Sequence, residues 1–334
     1  MYESLTVGIL DYTPLEYKRY EENITKQVIV NALKESMPDK RLIFPVYIRG
    51  LKDEIPDKKY DMFIISGSPL PTVGYSEDLD KAVSQITQII SEVPVLGICF
   101  GLHAIARITG NGSKMIEDFE IGPRDVAVYP HVEDIKELAN RRGKLPRFPV
   151  NHIYKITNGN RNMKVIGVNN GGIQIADATD FFDGNAVMGV QFHPEFAATE
   201  MGWKIFRVIF KKTIDAVISG NYPDAGIAPI VEALPEPARE KLLKEITPNP
   251  ENLIRRKLGD REKDLLMSLF HNIDPRCKQL CGRSESNRTY QELRTNSRAL
   301  FSHFLKKALK AKKKAPVVKP IVKPGTQMKL NIRH

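Results

Sequence analysis

The chain has 334 residues, 42% of them hydrophobic, and a net charge of +10, room for two domains or for one large domain with an extension. No apolar run approaches the length of a membrane-spanning helix. Three Cys over this length exclude a disulfide framework and fit a reducing cytoplasm.

The start, Met1-Tyr2-Glu3-Ser4-Leu5, lacks the basic n-region of a signal peptide. Leu5–Asp11 is expected as the first strand. Glu16–Met37 has the apolar spacing of a long helix closed by Pro38. Arg41–Ile48 and Tyr60–Ser66 read as further strands, the latter with the unbroken apolar run of a central parallel position. Ser76 is a suitable N-cap for a helix over Ser76–Glu92. Val93–Ile98 then reads as a buried strand leading through a sharp turn into a helix that stops at Gly110-Asn111-Gly112. Strand and helix alternating in this order predict a doubly wound, mostly parallel α/β sheet. Ligands on such sheets bind at the carboxyl ends of the strands.

From Lys114 to Phe192 the pattern changes. Asp125–Tyr129, Lys164–Val168 and Gly172–Ala176 are short, β-rich and separated by Asn and Gly turns, which predicts a small antiparallel addition, with a helix over His131–Arg141 inserted before it. Met201–Ser219 is expected as an amphipathic helix closing the domain at Gly220-Asn221. Beyond it, Ala238–Ile246, Glu251–Phe270 and Thr289–Ala311 carry helical periodicity and many charges. The expected organisation is one α/β domain over 1–220, a helical appendage over 221–311 and a basic, disordered tail over 312–334.

Two motifs carry chemistry. Gly97-Ile98-Cys99-Phe100-Gly101 has the form of a nucleophile elbow with Cys in the place of Ser. Small residues on either side let a tight turn approach its neighbours. A helix starting at Phe100 aims its N-terminus at the sulfur and favours the thiolate. Downstream, Val187–His193 reads as a second buried strand ending in a His, with Pro194 and Glu195 directly after it. His193 is a candidate base and acid, and Glu195 a candidate orienter of its ring.

Together these motifs resemble the class I (triad) glutamine amidotransferases, and among them the amidotransferase part of GMP synthase and its free-standing relatives. The resemblance covers the chain to about residue 220. It implies a flavodoxin-like fold and a glutaminase. Cys99 would form a γ-glutamyl thioester, His193 would act as base and then acid, and Glu195 would orient the imidazole. The turn Ser66-Gly67-Ser68-Pro69 would supply one oxyanion-hole N–H, at Ser68, where many members have Gly; Phe100 would supply the other. Gly67, His103, Asn151 and His152 would lie at the substrate. His103 departs from the family, which has Gln there; an imidazole lacks the paired donor and acceptor of an amide. No cofactor is implied. The Ser-Gly-Gly-x-Asp-Ser loop of a synthetase domain is absent from the sequence, which places the ammonia acceptor on a separate chain.

Two other readings stay open on the residues. The first is a stand-alone γ-glutamyl hydrolase or peptidase, mildly favoured by His103. The second is a non-catalytic scaffold whose basic tail binds nucleic acid or another polyanion. All twelve charged residues from Leu293 onward are Lys or Arg, and Lys306, Lys307, Lys310 and Lys312–Lys314 lie near Phe301, Phe304 and Leu305. Cys277 and Cys281, with His271 upstream, form only one close pair, so no metal site is expected.

Overall fold

The computed structural model describes residues 4–13, 22–37, 42–73, 77–129, 145–156, 159–206 and 283–314. Four strands lie parallel at its centre: β1 (Ser4–Asp11), β2 (Leu42–Arg49), β3 (Met62–Ile65) and β4 (Val95–Ile98). A fifth parallel strand, β10 (Val187–Val190), arrives from far along the chain and pairs with β4. Every residue of β3, β4 and β10 is buried, which accounts for their unbroken apolar sequences.

Beyond β10 the sheet turns antiparallel through β9 (Gly172–Asp177), β8 (Lys164–Asn169) and the short β6 (Ala127–Val128). The full order is β2-β1-β3-β4-β10-β9-β8-β6. The antiparallel part therefore extends the main sheet. A separate two-stranded ribbon joins β5 (Lys114–Asp125) to β7 (Arg147–Lys155). These strands are longer than the short β segments expected in this region, and Asn151 and His152 lie inside β7.

Side chains alternate across the strands and feed two cores. On one face, Leu10, Phe63, Ile65, Val95 and Val187 meet helices α2 (Glu77–Ile90) and α3 (Phe100–Ile108). On the other, Leu5, Val7, Ile64, Leu96, Met188 and Val190 pack with α1 (Glu22–Ser36). Helices on both faces make the sheet doubly wound, as expected. The expected helix over Glu16–Met37 is described from Glu22 to Ser36. Residue 193 is followed by one helical turn, α4 (Pro194–Ala197), and 200–206 are again helical.

The last described helix, α5 (Arg283–Lys314), returns to the α1 face. Leu300, Phe301, Phe304, Leu305 and Ala308 are buried in the same core as β1 and β10. Arg298 bonds the Ala198 carbonyl at 3.0 Å and pairs with Glu35 on α1. Lys307 pairs with Asp177 at the end of β9. The sequence suggested an appendage here, yet this helix forms part of the wall of the α/β core. The helices expected over His131–Arg141, Ala238–Ile246 and Glu251–Phe270 lie outside the described residues, as do residues 315–334 of the basic tail and the Cys277/Cys281 pair.

Candidate active site

Strands β4 and β10 run parallel with Ile98 opposite Val190. The next residues, Cys99 and Gln191, therefore leave the sheet side by side. The Cys99 N–H donates to the Val190 carbonyl at 2.7 Å. Cys99 has φ 50° and ψ −104°, a strained conformation for a residue with a Cβ. The turn is tight because strand and helix almost touch. A Cβ on Gly97 would lie 2.5 Å from the Gly101 carbonyl carbon, and one on Gly101 would lie 2.9 Å from the Ile65 carbonyl oxygen. Only glycine fits at either position, which explains the flanking spacing of the elbow.

His193 sits two residues past Gln191, between β10 and α4. Its N–H donates to the Pro149 carbonyl on β7 at 2.8 Å. Nδ1 lies 2.8 Å from Glu195 Oε1, and the Cys99 side chain is a neighbour of the ring that raises its basicity. All three side chains are largely withdrawn from solvent. Burial works against a charged imidazole. The Glu195 charge and hydrogen bond, with the neighbouring Cys99, outweigh it and push His193 up to about 10.

The Ser66-Gly67-Ser68 turn follows β3 and faces the same sulfur. A Cβ on Gly67 would lie 3.5 Å from the Cys99 Cβ. The turn is held by Asp11, a buried carboxylate at the end of β1. Asp11 accepts hydrogen bonds from Ser66 Oγ (3.1 Å), from the Thr13 N–H and hydroxyl (2.9 and 2.7 Å), and from Tyr47. Ser68 Oγ donates to the Tyr12 carbonyl at 2.9 Å and accepts from the Leu70 N–H at 3.1 Å. Ser68 is not among the positive-φ residues, so Ser in place of Gly costs no backbone strain. Phe100, the first residue of α3, is at a helix start, where backbone N–H groups lack an intrahelical acceptor.

Behind the sulfur lies a buried polar cluster. Gln191 is 0% exposed and its Nε2 donates to Cys99 Sγ at 3.7 Å. His103 is 2% exposed, with Nδ1 2.6 Å from Ser113 Oγ. Burial and the neighbouring His152 hold its ring down to about 3, against weaker interactions with the acceptor oxygens of Gln191 and the Tyr154 backbone. His152 places Nε2 3.0 Å from Glu120 Oε2 and Nδ1 3.1 Å from the Tyr154 carbonyl. Asn151, on the same strand, is half-buried.

The structure thus gathers Cys99, His193, Glu195, Gly67 and His103 around one point, with His152 behind His103. Two residues of the site were not singled out from the sequence. Asp11 and Gln191 are polar side chains at the ends of buried strands, and that position was the available signal. Among the described residues no group of three or more His, Cys, Asp or Glu is arranged to hold a metal ion.

Residues 20–213 match the sequence profile of the family Glutamine amidotransferase class-I. The chain belongs to this family. It is 26% identical over 151 residues to the glutamine-hydrolyzing GMP synthase of Candida albicans, covering 43% of this chain and 25% of that protein. It is 25% identical over 161 residues to a glutamine-hydrolyzing GMP synthase subunit of Sulfolobus acidocaldarius, covering 46% of this chain and 77% of the relative. The match thus spans a quarter of the fungal enzyme and about three quarters of the archaeal protein. The crystal structure of a glutamine amido transferase from Methylobacillus flagellatus aligns over 91% of this chain and 96% of its own, with a TM-score of 0.51 and 12% identity. That likeness shows the shared fold.

Proposed function

We propose that this amidotransferase hydrolyses the side-chain amide of glutamine through Cys99, releasing ammonia for an acceptor enzyme on a separate chain. One observation supports the reading: the His193 ring neighbours the Cys99 side chain while its Nδ1 lies 2.8 Å from Glu195 Oε1. A charged imidazole beside the sulfur favours the thiolate, the reactive form. The thiolate attacks the amide carbon, and the oxygen takes negative charge as the C=O bond opens. Backbone N–H groups of Ser68 and Phe100 stabilise that oxyanion; losing one such donor costs about 3 kcal/mol of barrier. His193 gives its proton to the nitrogen, the C–N bond breaks, and ammonia leaves with a thioester on Cys99. His193 then takes a proton from water, which attacks the thioester and frees glutamate and the thiolate. Glu195 fixes the ring orientation in both halves.

The Sulfolobus relative is named as one subunit of its GMP synthase, which supports a separate synthetase chain as the acceptor. A second reading, hydrolysis of another γ-glutamyl compound, is favoured by His103, whose buried ring is tied to Ser113. The nucleic-acid reading loses support, because Phe301, Phe304 and Leu305 are core residues that cannot stack on bases. Ammonia release from glutamine by wild type and Cys99→Ala tests the proposal, beside a panel of γ-glutamyl amines and peptides. Thioester-dependent ammonia release supports it. Turnover confined to γ-glutamyl peptides moves the assignment to the second reading, and turnover surviving Cys99→Ala overturns both.

A further inference from the structure

The proposed reaction does not employ the buried chain Ser113–His103–Gln191, which ends on the reacting atom. Gln191 is wholly buried, and its amide N–H points at Cys99 Sγ over 3.7 Å. Its register is fixed on both sides: its own N–H donates to the Gln174 carbonyl at 2.9 Å, and Cys99 N–H bonds the preceding residue's carbonyl. The Gln191 side chain is a neighbour of the His103 ring. Each retains one buried polar atom without a well-formed partner, Oε1 of Gln191 and Nε2 of His103. A buried amide oxygen and a buried ring nitrogen left unpaired would each cost about 1–3 kcal/mol. Pairing them, with Nε2–H donating to Oε1, satisfies both. His103 Nδ1 is then an acceptor, and its 2.6 Å contact is with a hydroxyl that can donate, Ser113 Oγ.

We infer that Ser113, His103 and Gln191 form a directional hydrogen-bond relay that aims an amide N–H at the Cys99 sulfur and holds its thiolate. Every donor in it points toward the sulfur. A neutral His103 is a requirement, since only a neutral ring accepts at one nitrogen and donates at the other. Burial, with His152 beside it, holds the His103 ring neutral. His103 therefore serves as a positioning residue acting through Gln191, which accounts for an imidazole where the family has an amide. The relay rests on the reading of Cys99 as the nucleophile. Among the described residues, titratable groups facing this region include His193 and Glu195 beyond β10, His103 on α3, His152 and Tyr154 on β7 and Glu120 on β5.

The test is the pH dependence of Cys99 alkylation by iodoacetamide, followed by mass spectrometry of the Cys99 peptide in the full chain. Alkylation requires no glutamine turnover, so a protein inactive on glutamine still reports on the relay. Gln191→Met conserves volume but cannot donate; its alkylation midpoint is expected to rise by about one pH unit. Ser113→Ala, remote from the sulfur, is expected to move the midpoint in the same direction by less. Where glutamine is turned over, kcat falls about tenfold with KM little changed. A lowered melting temperature with an unmoved midpoint in Gln191→Met makes Gln191 merely structural and overturns the relay. An unmoved midpoint in Ser113→Ala also overturns it, and decides the matter if Gln191→Met does not fold.

Discussion

Gly67 lies directly against the His193 imidazole: a Cβ on the glycine would sit 2.7 Å from Cε1 of the ring. The adjacent ring nitrogen, Nδ1, is held by Glu195 at 2.8 Å, so the ring cannot move aside without straining that bond. The Ser66–Ser68 turn thus forms a wall against the imidazole.

Gly67→Ala should therefore act on chemistry more than on stability. The added methyl displaces the ring by several tenths of an ångström. Misplacement of a catalytic group costs about 100-fold in rate, so kcat for glutamine is expected to fall by about that factor while the melting temperature changes little. Steady-state kinetics beside a thermal melt check this, and unchanged kcat would show that the ring has room.

Cys99 gives a second test. Its positive φ belongs to the region in which a Cβ is strained by about 1–3 kcal/mol. In ordinary backbone Ala is the more stable choice over Gly. At this elbow the order should reverse, with Cys99→Gly more stable than Cys99→Ala by about 1 kcal/mol and both inactive. Urea unfolding of the two variants measures the difference.

The two elbow halves were legible from the sequence because each is a local pattern: buried strand, glycine spacing, polar residue at the strand end. Their juxtaposition follows from the β4–β10 pairing, of which the sequence showed only that the second run is a buried strand. The β5–β7 ribbon was missed. Its sequences, with Pro123 and Pro149 directly opposed, lack the regular alternation of a strand. The relay through His103 was equally invisible, since it depends on where Ser113 and Gln191 fall in three dimensions. The role of α5 was misjudged because its many Lys and Arg residues mask the apolar stripe of Leu300, Phe301, Phe304 and Ala308.

The raised His193 carries a pH signature. A ring whose folded value lies near 10 against an ordinary 6.5 contributes stability that is fully present below pH 6.5 and is lost as pH rises through about 10. Glu195→Gln removes the charge that does most to hold the ring protonated and leaves burial opposed chiefly by Cys99. The stability gap between wild type and Glu195→Gln is expected to narrow steadily from pH 6.5 to 10. Urea unfolding at a series of pH values reads it; a gap that stays constant would mean that Glu195 supports the ring only through geometry.

The C-terminal helix separates a structural from a recruiting role. Phe304 is fully buried against the α1 face, whereas Lys306 is exposed on the same helix. Phe304→Ala leaves a cavity among Leu300, Leu305 and the β1 residues, and substitutions of this kind cost about 3–5 kcal/mol. Lys306→Ala should change stability by less than about 0.5 kcal/mol. Lys307→Ala falls between them, because it strands Asp177, a largely buried carboxylate at the end of β9. Chemical unfolding of the three variants is expected to rank them in that order. Equal, small effects would detach α5 from the core and return the helix to the role of a charged appendage.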